Sequence, residues 1–327
     1  PSDETGMAPI LCLSPQHWHY RLPFFAQVIN ASAVTWHGAT PAVTDQEIAF
    51  ASKAGIDYWA FVLYDTEYAL SQSLHNYLDS AHHHDIGFNL IVEAARVTGW
   101  YGQPTTWQNE SQRIVRMMKD PMFEMVTLPD HPDATKRPLI YLMGVQSSYV
   151  ATLQKVISDL NALAVAQGLN EPYFVLVNSD NTVKLPGVTA VGAYAHSSGS
   201  PQGAPFSTLL SDSERYWNVS EQQNFDVIPH AQLGWDPRPR NEHPPPWLPS
   251  GEGQNWIVNA TDDDVVMAVS TAIDWSCNRR NTSSVTGNVL IYAWNENTEG
   301  GWLTPTLRAD GSIDTGRLDA LQKLLRP

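Results

Sequence analysis

Two glutamates near the end of the chain, Glu296 and Glu299, stand three residues apart in the stretch IYAWNENTEGGWLTPT (291–306). They directly follow an apolar run that is typical of a buried strand. Cleavage of a glycosidic bond needs one group that protonates the leaving oxygen and a second that attacks or stabilises the anomeric carbon. Two carboxyl groups in different surroundings supply both, because one can stay protonated while the other is ionised. The pair indicates a glycosidase centre, and the alternative is two solvated loop acids.

The elements that must position these glutamates alternate between short apolar runs and amphipathic helical patterns. The runs are continuously apolar, as in parallel strands that are buried on both faces. Eight such units in 327 residues predict an α/β fold, a (β/α)8 TIM barrel that forms one domain over residues 1–327. The alternative is a doubly wound open sheet, which is disfavoured because SPQHWHY rather than a Gly-rich turn follows the first run. Strands are predicted over 8–14, 56–64, 86–94, 137–145, 172–179, 187–195, 225–235 and 288–296, and helices over 44–55, 70–85, 105–120, 149–168, 206–219, 261–279 and 315–326, with extended strand-to-helix loops at 15–43, 196–205 and 236–260.

The carboxyl-terminal ends of the predicted strands are rich in aromatic and polar residues, and (β/α)8 enzymes place their active sites at that face. Sugars stack their C–H faces on aromatic rings, and their hydroxyls pair with carboxylates, amides, Arg and His. Asp65 and Glu93 could act as a displacement nucleophile, fix sugar hydroxyls, or brace a neighbouring arginine. The predicted substrate-binding residues are His17, Trp18, His19, Tyr64, Asp65, Glu93, Tyr194, Trp235, Asp236, Arg238, Asn295 and Trp302.

The net charge of −15 argues against nucleic acid or an anionic membrane as a partner, because phosphate binding needs clustered Lys and Arg. The acidity also fits a role in solubility alone. We expect a monomer that binds a carbohydrate, without a metal or other cofactor. HHHD (82–85), or His17 and His19 with Asp65, could hold a metal, although helix-end and loop roles are favoured for both. Asp262, Asp263 and Asp264 suit a helix N-terminus better than calcium.

Five N-x-S/T sequons and two cysteines without metal-type spacing indicate a secreted protein. The chain begins at Pro1 rather than Met, so we expect that a leader has been removed. Cys12 and Cys277 could form one disulfide or remain two buried thiols. The sequons lie at Asn30, Asn109, Asn218, Asn259 and Asn281.

The stretch WNENTEGGWLTPT resembles the NEWxEGxxxEP signature of glycoside hydrolase family 99 and the related WbsX-like proteins. Three other segments are similar to segments of that group: LGWDPRPR (233–240) to PGWDNxxR, GIDYWAFVLY (55–64) to GIxGFxFYxY, and PQHWHY (15–20) to LPQFH. The chain departs from the signature at Asn297, where the family has Trp, and at Thr304, where it has Glu.

The resemblance implies a (β/α)8 barrel with retaining glycosidase activity, since the best-known members are endo-α-mannosidases and endo-α-mannanases. It implies that Glu296 acts as a base on the sugar 2-hydroxyl, which gives a 1,2-anhydro sugar, and that Glu299 protonates the leaving group and later activates water. Classical displacement by another carboxylate and exo action remain open. Other classes that the sequence allows are a non-catalytic carbohydrate-binding barrel, a WbsX-like glycosyltransferase and a lyase for an acidic glycan.

Overall fold

A computed structural model describes residues 13–128, 136–178, 182–245 and 248–326. Its strands are β1 (Gln27–Asn30), β2 (Ala33–Thr35), β3 (Tyr58–Val62), β4 (Gly87–Glu93), β5 (Met125–Val126), β6 (Arg137–Met143), β7 (Tyr173–Val177), β8 (Ala190–Gly192), β9 (Asp226–Val227), β10 (His230–Gln232), β11 (Leu290–Tyr292), β12 (Asn295–Glu296), β13 (Gly301–Trp302), β14 (Thr306–Leu307) and β15 (Ile313–Asp314). Its α-helices are α1 (Pro41–Ala54), α2 (Gln72–Asp79), α3 (Ala94–Tyr101), α4 (Pro104–Met118), α5 (Val150–Ala166), α6 (Phe206–Gln222), α7 (Arg238–Glu242), α8 (Asp262–Cys277) and α9 (Gly316–Leu325). Short 3-10 helices span Gln16–Arg21, Ala69–Ser71, His83–Asp85 and Ser147–Tyr149.

The central sheet is parallel, and its strands follow one another in chain order as β3, β4, β6, β7, β8 and β9. The path of β9 continues into β10, because the Ile228 N–H still donates to the Val191 carbonyl and β10 then pairs in parallel with β11. The two ends of this arc approach each other: the ring centroids of Trp59 in β3 and Trp294, just beyond β11, are 5.1 Å apart. This order and curvature confirm the predicted (β/α)8 architecture.

The central strands bury both of their faces, and this explains why their sequences are continuously apolar. In β6, Leu139 and Tyr141 pack inside the barrel against residues of other strands. Their neighbours Ile140 and Leu142 pack on the opposite face, in the layer that includes the helices. Side chains of a strand alternate between its two faces, so both sets must be apolar. The Tyr141 hydroxyl is satisfied inside the barrel by that of Tyr58, at 2.8 Å.

Several element boundaries differ from the sequence predictions. The predicted helix 70–85 ends at Asp79, and α3 follows β4 directly where a loop was expected. The predicted strand 225–235 is interrupted around Pro229, since proline has no N–H for a strand ladder.

The long loop predicted over 236–260 contains the short helix α7, which carries Arg240 of the site.

The first predicted strand, 8–14, lies outside the described residues except for 13 and 14, and so does Cys12 of the possible disulfide. Within the described ranges, no helix is both long enough and apolar enough to cross a membrane.

Helix α8 begins with a complete capping box. The Asp264 N–H donates to Thr261 Oγ1 at 3.2 Å, and the Thr261 N–H donates to the Asp264 carboxylate at 2.9 Å. Acidic side chains in the first turn also interact favourably with the helix dipole. The aspartates at 262–264 therefore stand at a helix N-terminus, as the sequence analysis favoured.

Replacement of Thr261 by Ala should lower the free energy of unfolding by about 1 kcal/mol, because it leaves the Asp264 N–H without its cap. Asp263→Asn is the matched control, since this exposed residue precedes the cap-bonded Asp264 and makes neither capping bond. Urea unfolding of both variants checks the expectation, and an equal loss in the two variants would contradict it.

Candidate active site

The two candidate catalytic glutamates lie on a short hairpin directly after β11. Strands β12 and β13 pair antiparallel with Glu296 opposite Gly301, and the Glu299 N–H donates to the Glu296 carbonyl at 3.1 Å. Gly300 has φ +89°, and a Cβ atom there would lie 2.9 Å from the Asp236 nitrogen. Glycine is therefore required at the turn, both for its left-handed backbone and for the close approach of the segment after β10.

Both carboxylates bind the same guanidinium group, that of Arg240 on α7. Arg240 Nη2 donates to Glu296 Oε2 at 3.0 Å, and Nη1 donates to Glu299 Oε1. The same Nη1 also donates to Glu252 Oε1 at 2.6 Å, and Nε donates to Thr298 Oγ1 at 2.8 Å. A planar guanidinium fixes its acceptors in its own plane, so Arg240 sets the relative positions of the three carboxylates.

The electrostatics of this group favour proton transfer near neutral pH. Burial, followed by the charge of Glu299, raises the pKa of Glu296 to about 7, although Arg240 lowers it. Burial also raises the pKa of Glu299, with Arg240 opposing the rise and Glu252 adding to it. A carboxyl group whose pKa lies near the operating pH is suited to general acid–base catalysis. The pair can therefore exchange a proton with a substrate at neutral pH.

Three tyrosines stand close enough to Glu296 for its charge to affect them: Tyr64, Tyr194 and Tyr292. Burial, and then the Glu296 charge, raises the pKa of Tyr64 to about 12. The pKa values of Tyr194 and Tyr292 are raised further by burial and by the two glutamates. All three hydroxyls stay protonated, and that of Tyr292 donates to Glu299 Oε2. The site thus presents neutral O–H donors around the carboxylates.

Asp65 and Glu93 hold Arg96, which is the bracing role among those considered from the sequence. Arg96 Nη1 lies 2.6 Å from Asp65 Oδ2, and its Nε lies 3.6 Å from Glu93 Oε2. Burial would raise the pKa of Asp65, but hydrogen bonds from Trp100 and Arg96 outweigh it and lower that pKa. The Arg96 guanidinium lies 4.9 Å from the centre of the Tyr64 ring, so this cluster supports a tyrosine of the site.

The 3-10 helix Gln16–Arg21 anchors α7 through Glu242. Trp18 Nε1 donates to Glu242 Oε2 at 2.8 Å, and His17 Nε2 lies 3.1 Å from the same oxygen. His19 Nε2 instead lies 2.9 Å from the Ser14 carbonyl oxygen. The two histidines thus contact different groups, and neither of these contacts involves Asp65.

Trp18, Asp236 and Trp302, which the sequence analysis predicted to bind substrate, are each at least 96% buried. Asp236 accepts hydrogen bonds from Arg21 and from Arg238, whose Nε and Nη2 each lie 2.7 Å from a carboxylate oxygen. The Arg21 guanidinium lies 4.7 Å from the Trp18 ring centre and 5.5 Å from that of Trp302. These residues form a packed ionic layer around Arg21.

The remaining predicted binding residues are Arg238, Trp235 and Asn295. Arg238 stacks on Trp256, with its Cζ 3.4 Å from the ring centre. Trp235 and Asn295 are each partly exposed. In the part of the chain that the structure describes, the buried Trp235 Nε1 has no hydrogen-bond acceptor.

The two departures from the family signature are buried. Asn297 donates from Nδ2 to the Arg21 carbonyl at 2.7 Å and is 7% exposed. Thr304 is 2% exposed, and its N–H donates to the Trp294 carbonyl at 2.7 Å. Both residues are therefore part of the packing around the hairpin.

The sequence analysis missed two members of the site, Arg240 and Glu252, as functional residues. Arg240 was recoverable, because the last arginine of the PGWDNxxR pattern aligns with Arg240 rather than with Arg238. Glu252 stands in a polar, glycine-containing loop that contains no motif, and its contact with Arg240 arises only from the folding of that loop.

No protein-family model matches the sequence, and no curated protein matches it. Solved structures do match. A GH99 endo-alpha-mannosidase from Bacteroides thetaiotaomicron superposes with a TM-score of 0.55 and 17% identity, over 91% of this chain and 84% of that chain. A second structure of that GH99 enzyme, in complex with bis-tris-propane, gives a TM-score of 0.55 and 13% identity, over 89% of this chain and 85% of that one. The chain shares the fold of these GH99 structures. At these identities, the likeness extends to the fold alone.

Glu296→Gln should alter the pH dependence of stability. The native pKa of Glu296 is about 7, above the unfolded value of about 4.3. The native chain thus keeps a proton that the unfolded chain releases, so this contribution is complete below pH 4 and is lost as the pH rises through 7. The unfolding free energy of the variant relative to wild type should then rise by on the order of 1 kcal/mol per pH unit between pH 5 and 7.

Urea unfolding of both proteins at pH 5, 6 and 7 measures this difference. A difference that stays constant over the range would show that Glu296 titrates as an ordinary glutamate.

Proposed function

We propose that this protein is a glycoside hydrolase related to family 99, with Glu296 and Glu299 as its catalytic pair. The observation that carries the proposal is the binding of both carboxylates to the two terminal nitrogens of Arg240, where the pKa of Glu296 is raised to about 7. The GH99-like fold supports it, because in such barrels the loops that follow the strands form the active site.

In the proposed reaction, Glu296 removes the proton from the 2-hydroxyl of the sugar, and the resulting oxygen attacks C1. The bond from C1 to the leaving oxygen breaks as Glu299 gives its proton to that oxygen. A 1,2-anhydro sugar and an ionised Glu299 result. Water then adds to C1, Glu299 takes the proton of the water, and Glu296 returns its proton to the 2-oxygen. Two inversions at C1 give net retention.

The surroundings of the pair fit this cycle. Glu296 has a pKa of about 7, so near neutral pH a useful fraction is ionised and can act as the base. Glu299 has a raised pKa, so it can hold the proton for the leaving group. The charge left on Glu299 after that transfer is compensated by Arg240 and by the hydrogen bond from Tyr292.

We infer α-linked mannose polymers and glycans as the first substrate class to test, since the similar solved structures are those of an endo-alpha-mannosidase. The departures at Asn297 and Thr304 are buried under the hairpin, so they need not change the contacts that a sugar makes. We also infer endo action, because long strand-to-helix loops such as those predicted at 15–43 and 236–260 could line an open cleft.

A polysaccharide panel, with product anomers followed by NMR, tests the proposal. The wild type should cleave at least one glycan with retention, and Glu296→Gln and Glu299→Gln should each lose activity by about a hundredfold or more. Glu171→Gln, an exposed site in the α5–β7 connection, controls for the loss of one negative charge. Binding of a glycan without any cleavage would instead support a carbohydrate-binding barrel. Turnover that requires a nucleotide sugar would support a transferase.

We also propose that the protein is secreted and carries N-linked glycans at Asn30 and Asn281. Both side chains are exposed and lie in or beside turns. The other sequons fit less well: Asn109 lies within α4, Asn218 accepts a hydrogen bond from Trp275 at 3.0 Å, and Asn259 accepts one from Arg317 at 3.2 Å.

Expression through a eukaryotic secretory pathway should yield a protein whose mass falls on enzymatic removal of N-glycans. Asn30→Gln and Asn281→Gln should each remove one glycan, whereas Asn109→Gln should leave the mass pattern unchanged. Secretion without any glycan at these two positions would contradict the assignment.

A further inference from the structure

A third carboxylate, that of Glu252, shares the guanidinium of Arg240 with the catalytic pair. Glu252 Oε1 lies 2.6 Å from Arg240 Nη1, the same nitrogen that donates to Glu299 Oε1. The Glu252 side chain is 14% exposed and that of Glu299 is 13% exposed. Two largely buried carboxylates therefore meet at one N–H₂ group, with Glu296 on the neighbouring nitrogen.

The local fold holds Glu252 in this place. Asn241 of α7 accepts a hydrogen bond from the Glu252 N–H at 2.8 Å and donates one to the Gly253 carbonyl at 2.5 Å. Gly251 and Gly253 both have positive φ, of +73° and +90°. Asn241 and Arg240 are adjacent on the same short helix, so the loop is fixed to the element that carries the guanidinium.

The negative charges in this group outnumber the positive charge. Arg240 supplies one positive charge, whereas Glu252, Glu296 and Glu299 together supply three negative charges when all are ionised. Like charges in a buried site disfavour each other, so the group retains a proton near neutral pH. Glu252 stands next to Glu299 and competes with it for the same N–H₂ group. The three tyrosines beside the pair, Tyr64, Tyr194 and Tyr292, are uncharged, and the Tyr292 hydroxyl donates to Glu299 Oε2.

We propose that Glu252 is a positioning residue for the proposed glycosidase reaction. Because Glu252 and Glu299 share the positive charge at Arg240 Nη1, ionised Glu299 is less stabilised, and Glu299 keeps the proton that the leaving oxygen receives. This inference rests on the proposed function. When Glu299 has given up its proton, Arg240 Nη1 still donates to the new carboxylate. The effect of Glu252 on the pKa of Glu299 has the same direction, since Glu252 raises it.

The test is Glu252→Gln, which keeps the size of the side chain and removes its charge. With a glycan that the wild type cleaves, the alkaline limb of the rate–pH profile should move to lower pH. Activity at the alkaline end should fall by about tenfold, whereas activity at pH values below the alkaline limb should be retained. Glu171→Gln, with the same change in net charge, should leave the profile in place. An equal loss at every pH, or an unmoved alkaline limb, would overturn the inference.

A second readout needs no substrate. Titration of ¹³C-labelled glutamate carboxyl groups, with Glu299 assigned from the signal that Glu299→Gln removes, should show the midpoint of Glu299 at lower pH in Glu252→Gln than in wild type. If Glu252→Gln does not fold, Glu252→Ala removes the same charge and should move the midpoint in the same direction. If the wild type cleaves no glycan, the proposed function fails, and the titration alone decides on Glu252. A midpoint that moves supports the pairing, and one that stays overturns it.

Discussion

One guanidinium among three carboxylates is the constraint on which the site depends. Arg240 binds Glu296, Glu299 and Glu252 at the same time, and its own pKa is raised because all three are near. Its planar fork fixes the acceptors in one plane, which a lysine could not do. The positive charge is too small to ionise all three acids, so protons remain in the group at neutral pH. Both the geometry and the acid–base character of the site follow from this imbalance.

The neighbouring residues of the site hold Arg240 in position. Its helix, α7, is only five residues long and cannot be stable by itself. The 3-10 helix Gln16–Arg21 holds it through Glu242, and the 248–256 segment holds it through Asn241. Immediately before the helix, Asp236 is fixed by Arg21 and Arg238. Removal of one partner from such a buried ionic layer leaves an uncompensated charge, which is why the layer acts as a unit.

The comparison with the GH99 structures shows how little identity the barrel needs. The fold is shared at 17% identity, since a parallel barrel depends on apolar character on both strand faces rather than on particular residues. The signature residues that differ, at Asn297 and Thr304, have become part of the packing below the hairpin. The Gly300 turn, which lies close to the segment after β10, fixes the direction of the two glutamates.

The sequence by itself predicted the (β/α)8 barrel, which the structure confirms, and it singled out the two glutamates that we propose as the catalytic pair. Local patterns suffice for both: runs such as 137–145 must be buried on two faces, and Glu296 and Glu299 share one turn. Boundaries were less predictable, as in 225–235, where Pro229 interrupts the ladder.

Only the tertiary structure decided which polar residues surround Glu296 and Glu299 and which are buried away from them. Trp18 and Trp302 are aromatic side chains of the kind on which sugars stack, yet the Arg21 guanidinium packs against both rings. Asp65 pairs with Arg96, which lowers the pKa of its carboxyl group, whereas burial raises the pKa of Glu296. The physical reason is that burial and partners come from residues far apart in the chain, such as Arg240 and Glu296, whose 56-residue separation has no periodicity for a sequence pattern to reveal.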